Sequence, residues 1–87
     1  MTTYSLSIIT PRGKIFDGQV ESLVAPGSAG SFGVLAHHAA FVSPLNKGIL
    51  KLVENDQEKF FKLGPGILEV DGKNHVVILA DEATALT

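Results

Sequence analysis

A histidine pair, serines and regularly spaced glycines are the residues here with chemistry to offer, and their spacing withholds most of it. His37 and His38 are adjacent, so on an extended backbone they point to opposite faces; with His75 far along the chain and no cysteine, no metal-binding spacing exists. Ser5, Ser7, Ser22, Ser28, Ser31 and Ser43 lie in no nucleophile-elbow context, and no histidine and carboxylate are placed to complete a triad. Glu69 and Asp71 share a strand face but border a turn, which makes them a solvated pair rather than an acid and base. Gly27, Gly30 and Gly33 recur every third residue without the lysine or the strand-to-helix setting of a phosphate loop. No catalytic residue, metal or cofactor is expected.

The same glycines and histidines open a different reading. From Gly27 to Pro44 the chain runs eighteen residues without a charge while carrying Phe32, Val34, Leu35, Phe41 and Val42, which describes a surface made for contact. Glycine is poor inside a helix, so the path is read as a strand over 31–35, a turn over 36–38 and a strand over 39–43 that Pro44 ends for want of an N–H.

The elements that must position this stretch follow from size and patterning. Eighty-seven residues make one small domain, with room for one core and no deep cleft. An apolar fraction of 45% with 18% charge is globular composition. The seven basic residues are scattered and the net charge is −2, so nucleic acid and anionic membrane surfaces are not expected partners. No apolar run nears the ~20 residues of a membrane-spanning helix and the N-terminus lacks a secretory layout, so direct membrane insertion is not expected.

Period-two alternation and turn residues at roughly 8–12-residue spacing run from start to finish. Tyr4–Ile8 reads as a strand and Thr10-Pro11-Arg12-Gly13 as a turn. Ile15 to Val24 reads as strand with a bulge or bend at Gly18, closed by Ala25-Pro26-Gly27. Ile49–Glu54 and Lys59–Leu63 flank a polar turn. Ile67–Val70 and Val76–Ala80 flank Asp71-Gly72-Lys73-Asn74, with the last run expected to lie deep. The predicted fold class is all-β, a flattened two-sheet β-sandwich of about eight to ten short strands over residues 1–80. Residues 81–87 are expected to start a linker or helix, with Asp81 as N-cap.

Four motifs in order carry a family resemblance. They are Thr10-Pro11 with Phe16-x-Gly18-x-Val20; Pro26-Gly27-x-x-Gly30-x-Phe32-Gly33-Val34-Leu35; His38-Ala39 with Leu45-x-x-Gly48; and Gly66-Ile67-Leu68-Glu69-Val70 leading to Val77-Ile78-Leu79-Ala80-Asp81. With these the chain resembles the N-terminal β-sandwich domain of the epsilon subunit of F-type ATP synthases, called delta in mitochondria. The resemblance implies a central-stalk rotor subunit that docks the gamma subunit onto the ring of membrane proton-translocating subunits, peripheral on the cytoplasmic face of a bacterial inner membrane. It implies ring contact through Ser28, Ala29, Gly30, Ser31 and His38, brought to one end of the sandwich, and gamma contact through Thr10, Phe41 and Ser43 near the same end. For Phe41, the core is weighed ahead of the interface.

Three departures from the family pattern bear on this. Ala36 and Ala40 stand where relatives usually have proline, which implies a freer loop around His37-His38. Ser31 stands where a carboxylate is frequent, so hydrogen bonds and packing replace a salt bridge. The family usually continues into two C-terminal helices that brake ATP hydrolysis and in some bacteria bind ATP; from these residues neither property is expected. Two rivals remain: a biotinyl- or lipoyl-type carrier with Lys73 at a hairpin tip, though without the flanking methionine or Asp-Lys pair, and a stand-alone β-sandwich adaptor.

Overall fold

A computed structural model of the chain describes residues 2–86, which form ten strands. They are β1 (Tyr4–Thr10), β2 (Gly13–Val20), β3 (Ser22–Gly27), β4 (Gly30–Leu35), β5 (Phe41–Leu45), β6 (Gly48–Glu54), β7 (Gln57–Leu63), β8 (Gly66–Val70), β9 (His75–Ala80) and β10 (Ala83–Leu86). The all-β sandwich expected from the alternation is the fold observed. The hydrogen-bonded order is β10-β7-β6-β3-β5-β8-β9-β1-β2, with β4 on the other side of β3. Every pairing is antiparallel except β1 with β9, where Ser5 lies opposite His75 and Ile9 opposite Leu79.

Strand β3 makes this ladder two layers. Its first half pairs with β6, Leu23 opposite Leu52, whereas its end pairs with β5 through Gly27 and Leu45 alone. The ladder folds over at that point, setting β4-β3-β6-β7-β10 against β5-β8-β9-β1-β2. Alternate residues fill the space between: Tyr4, Leu6 and Ile8 from β1, Leu50 and Leu52 from β6, Leu68 from β8 and Ile78 from β9 are all buried. Each such side chain contributes about 1.5–3 kcal/mol by leaving water. Phe16 of β2 meets Phe61 of β7 edge to face, centroids 5.7 Å apart, and closes one side. The Tyr4 hydroxyl crosses the core to donate to the Val34 carbonyl at 2.7 Å.

Four expectations change. Pro44 does not end its strand, and Pro26 also lies inside one. Both stand one residue before the single β3–β5 rung of Gly27 and Leu45, at the ends of their strands. Their carbonyls accept from Ser28 N–H (3.2 Å) and Asn46 N–H (2.8 Å). Gly18 makes no bulge; the register slips where Ile8 faces Phe16 and Ile9 faces Lys14, so Ile15 is the extra residue. Gly18 instead admits close packing, since a Cβ there would lie 2.9 Å from Glu54 Oε2 and 3.2 Å from the Phe16 ring.

The run Val76–Ala80 is deep only at alternate positions: Val76, Ile78 and Ala80 are buried while Leu79 is 47% exposed. Finally, the helix or linker expected over 81–87 is not observed. Ala83–Leu86 pairs with β7 as β10, and Gly64 N–H bonds Glu82 O (3.0 Å) while Asp81 N–H bonds Pro65 O (3.1 Å). The open edge of β7 overrides the weak local helical preference. Thr87 lies outside the described residues.

Candidate docking site

Cross-strand register builds an apolar surface on the outside of the second layer. Pro44 of β5 faces Ile67 of β8, Ile67 faces Leu79 of β9, and Leu79 faces Ile9 of β1. Leu68 and Ile78 beside them point inward, so period two directs Ile67 and Leu79 outward, where they remain 39% and 47% exposed. The neighbouring row runs Val42, Glu69, Val77, Ser7 and Asp17, and it brings Val42 alongside. Contiguous exposed apolar side chains framed by polar ones mark an interaction surface.

An aromatic corner lies at the Phe41 end of this layer. The Phe41 ring meets Phe32 edge to face at 5.5 Å and the His38 imidazole at 5.6 Å. His38 Nδ1 lies 2.8 Å from the Ala39 carbonyl oxygen, to which it donates. Phe41 is 38% exposed, which answers the open choice: it belongs to the surface rather than to the buried core.

The loop carrying His37 and His38 is held without proline at 36 or 40. Asn74 Oδ1 accepts the His37 N–H at 2.7 Å, and Asn74 Nδ2 donates to the Thr3 carbonyl at 2.8 Å. His37 and Asn74 both take positive φ, 64° and 67°, which these hydrogen bonds sustain. Next door, Asp71 accepts from Lys73 N–H at 2.6 Å, from His75 N–H at 3.2 Å and from His75 Nδ1 at 2.9 Å. The Lys73 amide, with smaller contributions from His75, holds the Asp71 carboxyl below its ordinary range. The expected looseness of the His37-His38 loop is thus countered by a partner 37 residues away.

The residues expected in one cluster are brought together only in part: Ser28 N–H bonds Pro44 O beside Ser43, and the Phe41 ring touches both Phe32 and His38. Ser28 and Ala29 form the tip joining β3 to β4, and His38 follows the far end of β4. Gly30 and Leu35 are five residues apart, roughly 17 Å of strand at about 3.4 Å each. Thr10 and Phe41 also part company: Phe41 is in register with Val70 and Val76, and Thr10 follows Ile9 at the opposite end. Thr10 is buried, its hydroxyl accepting from Arg12 N–H at 3.1 Å and donating to Gly13 O at 3.4 Å, so it braces the β1–β2 turn. Ser43 is half-buried and its hydroxyl donates to the Pro44 carbonyl at 3.0 Å. Ile67 and Leu79 were missed by sequence reasoning. Their signal is the phase of alternation: in Ile67-Leu68 and Ile78-Leu79 only one member of each pair can face the core.

One surface depression of about 380 Å³ is lined by Thr10, Arg12, Ile15, Asp81, Glu82, Ala83 and Thr84. Among the described residues no three His, Cys, Asp or Glu side chains are placed to hold a metal, and no helix is long and apolar enough to cross a membrane. A close-packed sandwich offering an apolar sheet face and an aromatic corner is an interaction domain. Residues 3–86 match the family model described as "ATP synthase, Delta/Epsilon chain, beta-sandwich domain", and the chain belongs to that family.

Among curated relatives, the ATP synthase epsilon chain of Aliarcobacter butzleri is 41% identical over 87 residues, covering 100% of this chain and 69% of the relative. Two solved structures share the fold. A chain of the Euglena gracilis mitochondrial ATP synthase, in an OSCP/F1/c-ring assembly, aligns with TM-score 0.90 at 24% identity over 98% of this chain and 54% of its own. A chain of the Tetrahymena thermophila mitochondrial ATP synthase, from its central stalk and c-ring, gives 0.77 at 20% identity over 91% and 63%. The epsilon chain of Anaeromyxobacter sp. strain Fw109-5 is 38% identical over 93% of this chain, which spans 61% of that relative's length.

Proposed function

We propose that this domain is a non-catalytic rotor element of the central stalk in a proton-translocating ATP synthase, docking the gamma subunit onto the membrane ring and transmitting torque between them. The observation that carries the proposal is the outward Ile67–Leu79 row on a rigid sandwich of this family. Close packing supplies the stiffness a torque-bearing part needs. The outer row and the corner of Phe41 and His38 are assigned to gamma. The Ser28-Ala29-Gly30-Ser31 tip, small and uncharged, is assigned to the polar loops of the ring, where backbones can approach closely. In this reading His38 goes to gamma with Phe41, which it touches, and Thr10 serves the β1–β2 turn rather than gamma. The domain is then peripheral, on the cytoplasmic face of the coupling membrane. The family match favours this over the swinging-arm carrier, and Lys73 becomes a turn residue.

Titration of the purified chain into a gamma-containing catalytic head tests the reading, with Leu79→Asp and Ser31→Lys alongside. Saturable one-to-one binding, weakened at least tenfold by Leu79→Asp and unchanged by Ser31→Lys, is expected. A folded chain that does not bind, or a Leu79→Asp variant that binds equally well, overturns it.

A further inference from the structure

Among the described residues β2, β10 and β4 each have a side on which no strand pairs, and these edges are not alike. Edge strands present unpaired N–H and C=O groups, which proteins blunt with charges, proline, bulges or short length. The edge of β2 carries the Lys14–Asp17 ion pair at 3.3 Å and the extra residue Ile15. The edge of β10 is only four residues long and follows Asp81 and Glu82. Strand β4, Gly30-Ser31-Phe32-Gly33-Val34-Leu35, has six residues with no charge, no proline and no register slip against β3.

The direction of its backbone groups follows from β3. Ser28 N–H donates to Pro44 O and Asn46 N–H to Pro26 O, so residues 26 and 28 direct their main-chain groups toward β5. Such groups alternate sides along a strand, so Leu23, Ala25 and Gly27 turn theirs to β4, where Val34, Phe32 and Gly30 stand opposite. Ser31, Gly33 and Leu35 therefore aim N–H and C=O away from β3. Among the described residues no strand pairs with that side. All three are exposed, and Leu35 is 67% exposed.

We infer that the open edge of β4 is a strand-addition site for an extended, uncharged segment of a partner polypeptide. Three donor–acceptor pairs about 6.8 Å apart match the repeat of another strand and of no small ligand. The neutrality of the whole Gly27–Pro44 stretch fits a segment without charge opposite Ser31, Gly33 and Leu35, with an apolar side chain beside Leu35. A second copy of this chain is a poor occupant: a six-residue edge buries far less than the ~1,200 Å² of a stable dimer. The inference goes beyond the stalk reading, with which it shares Ser31; neither gamma nor the ring enters its test, so the two can fail separately.

The test follows amide exchange by NMR at Ser31, Gly33 and Leu35, with a capped octapeptide of alternating valine and threonine at millimolar concentration as probe. Exchange at these three amides is expected to slow at least tenfold, with the β2 amides unchanged. A companion peptide N-methylated at every second residue, and the Leu35→Lys variant, are expected to show no slowing. Failure of the unmodified peptide to protect these amides overturns the inference. So does protection that appears on concentrating the protein alone, because the occupant is then a second copy.

Discussion

The phenolic oxygen of Tyr4 lies 2.7 Å from the Val34 carbonyl, joining strands 30 residues apart across the core. Burial pushes the Tyr4 phenol well above its ordinary value, so it stays protonated and donating. The unfolded chain ionises near pH 10, so stability is fully present below that and falls as pH rises above it. As this is the only tyrosine, absorbance at 295 nm reports it directly. Ionisation is expected to appear only with unfolding. Tyr4→Phe should cost about 1 kcal/mol in denaturant unfolding at pH 7 and remove the alkaline slope above pH 10.

Neighbours on β9 should respond oppositely. Ile78 is fully buried whereas Leu79 is 47% exposed on the outer row. Ile78→Ala is expected to lose about 2–5 kcal/mol and Leu79→Ala about 1 or less, read from urea midpoints. Equal losses would contradict the facing of this strand.

Phe41→Ala separates surface from core. Removal of edge-to-face contact with Phe32 should cost about 1 kcal/mol of stability, against the ~3–5 of a core phenylalanine. Its larger effect is expected in affinity for gamma, ~2 kcal/mol or more by calorimetry.

Gly66→Ala should disrupt the β8–β9 pair. A Cβ at this position would fall on the Leu79 carbonyl oxygen and 2.8 Å from Ala80 Cα, both backbone atoms with little room to yield. A loss above about 2 kcal/mol is expected, with chemical-shift changes centred on Leu79 and Ala80.

Asp71 gives the acid limb. Its carboxyl is held low, first by the Lys73 amide and further by His75, so the stability it contributes is present above the ordinary Asp value near 3.9 and lost as pH falls from there through the lower folded value. A carboxyl-carbon NMR titration should place its midpoint below that ordinary value. Asp71→Asn should flatten stability against pH in that window only.

Alternation and turn chemistry made the layered fold legible, because period two in Tyr4–Ile8 and Ile49–Glu54 survives any tertiary arrangement. The tail was not legible: Asp81-Glu82-Ala83 carries a local helix signal, and the edge of β7 that captures Ala83–Leu86 lies twenty residues upstream. The site was legible as a stretch and not as a surface. Gly27–Pro44 stood out by composition, yet its closure, Ser28 N–H on Pro44 O, is a tertiary contact, and Ile67 and Leu79 join the surface only through register with Pro44 and Ile9. Asn74 as anchor of His37 had no sequence signal, since the two are 37 residues apart and meet only in the folded sandwich.

That parallel pairing of β1 with β9 also dictates when the domain can exist. Ser5 and His75 are separated by 75 − 5 = 70 residues. At about 5–20 residues per second, a ribosome takes roughly 4–14 s to span that gap. During this interval the hairpins β3–β4 and β6–β7 have all their residues available. Strand β1, carrying Leu6 and Ile8, has β2 on one side and nothing on the other. The last third of the chain is therefore what completes its first strand, and nascent chains stalled before β9 should expose apolar surface to chaperones.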